Sequence, residues 1–171
     1  MVRTPPSLWR RSVHETFLLL PRALRRRVVR AVTPNYTVGA VVLLRSPDGA
    51  LLLLRQRPWK GWSLPGGLLD RLEEPADGAR REVAEEIGLH LGPDELLPAV
   101  PNAVVYPRAQ QVDCVFTATV DPATRELHLD PVEVQDARWF PADELPPLTW
   151  PTARLLAGYG LGPRAADQTA R

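Results

Sequence analysis

Apolar residues recur along the chain in distinct rhythms, and each rhythm predicts a different element. Between residues 7 and 32 the positions Trp9, Val13, Phe17, Leu20, Leu24 and Val28 fall three or four apart, the period of an amphipathic helix, with arginines filling much of the remainder. Pro21 lacks an amide donor and clashes with the preceding turn, so two short helices are expected rather than one. Thr33-Pro34 ends the run. From Tyr36 to Leu44 β-branched and apolar residues follow one another. Ser46-Pro47-Asp48-Gly49 carries turn chemistry and Leu51 to Arg57 returns, which predicts a hairpin over 36–57. Pro58 to Trp62 reads as loop. Pro75 to Ile87 reads as a helix, with proline in its first turn and Gly88 at its stop. Strands are expected over 100–106 and 111–120, joined by a loop at 107–109. Weaker strands are expected over 126–129 and 137–140, a helical turn over 143–145, and a last helix from Thr152. Helices alternate irregularly with hairpins, which predicts a mixed α/β sandwich rather than a doubly wound parallel sheet.

Composition narrows the picture. A chain of 171 residues, 44% hydrophobic and 24% charged, supports one domain with a single core. One cysteine, Cys114, excludes a disulfide within the chain and a cysteine-cluster metal site; its apolar surroundings predict a buried, inert thiol. No run approaches the ~20 apolar residues that span a bilayer. Phe17 to Leu20 is too short for a signal-peptide core and has arginines on both sides, so a cytoplasmic location is expected. The net charge of +1 hides an asymmetry: residues 1–33 hold eight arginines and one acid, Glu15, whereas the remainder is net acidic. Three units are therefore expected: a basic amphipathic arm (1–33), a catalytic or binding body (34–160) and a tail without fixed structure (161–171). The arm has three readings. It packs on the body or on a second copy of the chain, it lies on an anionic membrane surface, or it contacts nucleic acid.

The chemistry concentrates on one helix. Glu82, Glu85 and Glu86 stand at i, i+3 and i+4 and so share a face. Like charges there repel, and they lie toward the helix C-terminus, where the dipole disfavours them. A hard divalent cation would offset both, because such ions prefer carboxylate oxygens. A solvated face with Arg81 paired to Glu85 is the alternative. The preceding Trp62-Ser63-Leu64-Pro65-Gly66-Gly67, with Glu73 beyond it, adds a glycine loop through which backbone approaches a ligand closely.

Residues 67–89 match G-x5-E-x7-R-E-U-x-E-E-x-G-U, with U a bulky aliphatic, at Gly67, Glu73, Arg81, Glu82, Val83, Glu85, Glu86, Gly88 and Leu89. This segment resembles the signature of the Nudix hydrolases. Arg138 to Pro146 is similar to the family's closing strand and short helix, so the resemblance covers about 35–158. One departure is Leu72, where many relatives carry glycine, which puts the path of the loop in question.

The resemblance implies an α/β/α sandwich with a mixed sheet and an enzyme that cuts a pyrophosphate linkage with water. It implies Mg²⁺ as cofactor, with Mn²⁺ as a substitute, and a nucleotide-type small-molecule substrate. Glu85 and Glu86 would be the main metal ligands, Glu82 a further ligand or general base, and the Gly66 carbonyl part of the shell. Glu73 and Arg81 would form an ion pair holding loop to helix. Glu133 or Asp130 is an added ligand or base in some relatives' manner, or a plain surface acid. Arg55 and Arg57 reach phosphate or are surface charge. Trp59 and Trp62 stack on a base or pack. Tyr106 stands where dinucleoside-polyphosphate hydrolases carry tyrosine, or fills the core. Trp150-Pro151 is similar to a purine-reading corner, but Thr152 and Ala153 replace the acids that follow there. The three histidines, His14, His90 and His128, show no ligand spacing. A Nudix-fold sensor or scaffold without turnover is the alternative function. Homodimerisation is left open.

Overall fold

The computed structural model describes residues 17–58 and 60–162. It divides into two compact units, Met1–Tyr36 and Thr37–Arg171. Residues 1–16 of the expected arm, Trp59 and the tail from 163 lie outside the described residues.

In the first unit, residues 17–19 are helical, the chain bends at Leu20, and helix α1 runs Arg22–Val32. Pro21 starts it and the Thr33 amide closes it on the Val29 carbonyl.

The second unit holds β1 (Thr37–Arg45), β2 (Leu51–Gln56), β3 (Gly66–Leu68), α2 (Pro75–Ile87), β4 (Leu97–Tyr106), β5 (Gln111–Thr119), β6 (Val134–Phe140) and α3 (Trp150–Ala157). The sheet order is β4-β5-β1-β2-β6, with β3 paired to β1. β1 and β5 run parallel, with Thr37 opposite Gln111 and Arg45 opposite Thr119; the other pairs are antiparallel, so the sheet is mixed. β1 and β2 meet beside their turn, Arg45 opposite Leu51, and farther along β1 the short β3 takes its place, Val41 opposite Gly66.

Alternating residues supply two cores. On one face Ala40, Val42, Leu44, Leu52 and Leu54 pack with Ala79, Val83 and Ile87 of α2. On the other, Leu43, Leu51, Leu53 and Val115 pack with Leu155 and Leu156 of α3. Helix, sheet and helix form three layers, as the resemblance implies. Cys114 is half-buried beside the first core, and burial pushes its thiol pKa up.

Two segments differ from the sequence reading. β3 pairs as a strand, although a three-residue piece with two glycines carries no strand signal. Residues 126–129 form no strand. They run along the end of α2, His128 donating its amide to the Ile87 carbonyl (2.8 Å) and Asp130 to that of Glu86 (3.0 Å). Leu127 and Leu129 still pack on the first core, which accounts for their apolar character without a pairing partner.

Candidate active site

Helix α2 begins with Pro75, whose missing amide costs nothing in a first turn, and ends where Gly88 turns left-handed (φ 67°) and donates to the Ala84 carbonyl. Val83, Ile87 and Ala79 fix its inner face in the core, which leaves Glu82, Glu85 and Glu86 at the edge facing β3 and the 128–134 segment.

β3 reaches this edge because Gly66 and Gly67 lack side chains. Gly66 holds φ 140°, and a Cβ there would lie 2.7 Å from Val41 Cα. A Cβ on Gly67 would lie 2.6 Å from the carboxyl carbon of Glu82. The glycine pair is therefore a cradle for sheet backbone on one side and for a carboxylate on the other.

Glu86 is only 2% exposed. Its Oε2 accepts the Gly66 amide at 3.0 Å and its Oε1 accepts the side-chain amide of Gln56. Gln56 in turn accepts the Ser63 hydroxyl at 2.8 Å. Burial, reinforced by the charges of Glu82 and Glu133, pushes the Glu86 carboxyl up to about 8 despite these donors. Burial likewise raises Glu82, against the pull of Arg81.

Arg81 organises the outer side. Its Nε and Nη2 meet both oxygens of Glu73, at 2.8 and 2.9 Å, a bidentate pair. Its Nη1 donates to Glu82 at 2.9 Å and Glu85 at 3.0 Å, and its Nη2 also reaches the Leu68 carbonyl at 3.1 Å. Glu73 closes the loop by accepting the Asp70 amide at 2.8 Å. Arg81 holds the Glu73 carboxyl down at about 2, and these acids hold the guanidinium firmly protonated.

The three helix glutamates do not converge on one point as expected. Among the described residues no group of three His, Cys, Asp or Glu side chains stands close enough to hold a metal ion. The reason lies in their partners: Glu82 and Glu85 both accept from the Arg81 guanidinium, while Glu86 accepts from Gly66 and Gln56. Gly66 touches Glu86 through its amide, the contact that fixes this carboxylate. The donor set nevertheless fits a hard divalent cation. It is all oxygen, it gathers three carboxyl groups on one helix face, and its most buried member accepts only from neutral donors.

The remaining expected residues are scattered. Glu133 is exposed, yet its charge raises the pKa of both Glu82 and Glu86. Asp130 is half-buried and accepts the Val132 amide at 2.8 Å. Arg55 and Arg57 are exposed at the end of β2. Trp62 packs edge-on against Phe140, with 4.8 Å between ring centres, under the Arg138 guanidinium. Tyr106 is 3% exposed and donates to the Pro151 carbonyl at 3.3 Å. Its ring and those around it, Trp150 with Arg154 over both, line a hollow of about 580 Å³ together with residues 107–109.

Two residues went unnoticed in the sequence, Gln56 and Asp113. Asp113 is 4% exposed and held by the Gln111 amide at 2.7 Å, with burial raising its pKa. Gly39 makes room for it: a Cβ there would lie 2.7 Å from Asp113 Oδ1 and 2.9 Å from the Gly67 carbonyl. A lone acid inside the alternating run 111–120 was the available signal.

A mixed sheet between helical layers, with a double-glycine strand set against an acidic helix, defines a sandwich protein whose edge suits hard cations. The chain belongs to the NUDIX domain family, whose pattern matches residues 35–158. It is 38% identical over 69 residues to a MutT-like protein of Streptomyces ambofaciens, covering 40% of this chain and 45% of that one. It is 32% identical over 131 residues to the CMP-5'-(N-acetyl-N-hydroxy-3-aminopropyl)phosphonate hydrolase of Streptomyces rubellomurinus, covering 72% of this chain and 61% of that one. The chain thus spans about half the length of these two relatives. Among solved structures, the MutT NUDIX hydrolase of Burkholderia pseudomallei is 30% identical with a TM-score of 0.57, covering 71% of this chain and 95% of that one. The NUDIX domain of Shewanella oneidensis NrtR, solved with ADP ribose, has a TM-score of 0.60 at 19% identity, covering 80% and 95%, and shares the fold.

Proposed function

We propose that the chain hydrolyses the pyrophosphate linkage of a nucleoside diphosphate derivative or nucleoside triphosphate, using Mg²⁺ with Mn²⁺ as a substitute. The observation that carries this reading is Glu86: a carboxyl group buried beside a glycine cradle and hydrogen-bonded only to neutral donors, with Glu82 and Glu85 on the same helix face. Glu85 and Glu86 would hold the metal, with Glu82 as a third ligand or as the base that takes a proton from the attacking water. A divalent ion bound there supplies charge neutralisation on phosphate oxygens and a more acidic bound water. The chain's own residues do the rest. Gln56 and Gly66 aim Glu86, Glu73 anchors Arg81, and Arg81 keeps loop and helix in register as Glu82 and Glu85 turn inward. Glu133, from a facing loop, adds a further ligand or base.

The nucleoside part would sit against the hollow lined by Tyr106, Trp150 and Arg154, where two tilted aromatic rings and a guanidinium favour a flat base. Arg55 and Arg57 are the phosphate-contact candidates from β2. Because one relative is a CMP-phosphonate hydrolase, CMP-linked esters belong in the substrate panel with ADP-ribose, dinucleoside polyphosphates, deoxynucleoside triphosphates and sugar nucleotides.

The test is phosphate-bond cleavage across that panel with and without Mg²⁺. Metal-dependent turnover of at least one member is expected, with Glu86→Gln slower by more than about a hundredfold. Turnover undiminished in Glu86→Gln would reject the site. Binding of a nucleotide with no turnover of any member would favour a sensor.

A further inference from the structure

Helix α1 carries two rows of side chains on opposite faces. Leu24, Val28 and Val32 recur at every fourth position, with Ala31 among them; Arg22, Arg26 and Arg30 recur at every fourth position two residues out of phase. Arg25 and Arg27 flank the apolar row on its two sides. No residue of the helix is buried, and Leu24, Val28 and Val32 are 43, 36 and 75% exposed. Leu18 and Leu19, just before the bend, are 51 and 85% exposed. The eleven residues hold five arginines and no acid. Phe17, Val29 and four of these arginines (Arg22, Arg25, Arg26 and Arg30) line a hollow of about 440 Å³, and Arg25 Nε is shielded from solvent with no hydrogen-bond partner among the described residues.

We propose that α1 docks on the surface of an anionic phospholipid bilayer. The apolar row enters the headgroup boundary, and Arg25 and Arg27, with their long stems, reach phosphodiester oxygens on either side of it. The partner must be anionic, because the helix carries five positive charges and no negative one. It must also offer an apolar layer, because the leucine and valine row has no use in a purely electrostatic contact. Nucleic acid meets the first requirement and not the second. Eleven residues are too few to cross a bilayer, so the helix lies along the surface.

The test sediments the full chain with sucrose-loaded vesicles of phosphatidylglycerol and phosphatidylcholine, and with phosphatidylcholine alone. Binding to the anionic vesicles alone is expected, weakening as salt rises. Replacing Arg25 and Arg27 by glutamine should weaken it about fivefold per arginine, and replacing both by lysine should restore it. Replacing Leu24, Val28 and Val32 by serine should weaken it more than about tenfold. Circular dichroism melting checks that each variant keeps the fold. Four results overturn the proposal, the first three being equal binding to both vesicle types or none; serine variants that bind like the parent; or a dimer that the serine variant splits while the parent ignores vesicles, which assigns the row to a second copy. Duplex RNA binding without vesicle binding overturns it in favour of nucleic acid.

Discussion

Glu86 is buried with neutral donors only, and its behaviour toward protons follows from that. Its folded pKa of about 8 stands above the ordinary 4.5, so between those pH values the folded chain binds more protons than the unfolded one. Metal-free protein should therefore lose stability as pH rises from about 4.5 to 8, by an amount on the order of a few kcal/mol. Thermal melts in chelator should show this slope, and Glu86→Gln should flatten it. A melting temperature that rises with pH in that window would contradict the account. Gln56→Leu removes one of Glu86's donors. It should cost about 1–3 kcal/mol in urea melts and weaken metal binding about 10- to 100-fold. Leu72 offers the opposite case: its φ of 68° is left-handed and its side chain is 95% exposed. Leu72→Gly should raise stability by about 0.5–1 kcal/mol in the same melts, because the relieved strain slightly exceeds the entropy a glycine adds to the unfolded chain. Gln56 was harder to read from the sequence. Leu51 to Leu54 are buried on both faces of β2, so no alternation marked which side the next residue takes.

At the scale of elements, the loop-helix unit works as one piece because Arg81 ties β3, the loop and α2 together. Glu73→Ala should release the Asp70 amide to fast hydrogen exchange and lower turnover about 10- to 100-fold, while the exchange of α2's inner turns stays slow. Unchanged Asp70 protection would mean that the loop is held by something else. Gly66→Ala should cost about 3 kcal/mol or leave the chain insoluble, since its Cβ would meet the β1 backbone. Helix α2 was legible to its last residue, because Pro75 and Gly88 are start and stop signals with a physical basis. β3 was not, since two glycines and a leucine promise no strand until β1 supplies the partner. The expected strand over 126–129 failed for the reverse reason: apolar residues were needed for packing on the core, while the backbone bonds went to the end of α2.

On the scale of the whole molecule, charge separates the chain into a basic first unit and an acidic second one. The sandwich itself followed from hydrophobic rhythm, because each sheet face needs its own helix and the sequence supplies two. The helix face of three glutamates was legible too, and Arg81 paired to Glu85 was its alternative reading; the further bond from Arg81 to Glu82 was not legible, since neighbours in sequence point to different sides of a helix. The central claim is that this face binds a divalent ion through Glu86. Titrating Mn²⁺ into chelator-treated protein, with the free ion followed by electron paramagnetic resonance, tests it most directly. Saturable binding to the parent, weakened more than about tenfold in Glu86→Gln, is the predicted result. Equal Mn²⁺ binding by both proteins, or none by the parent, would contradict it.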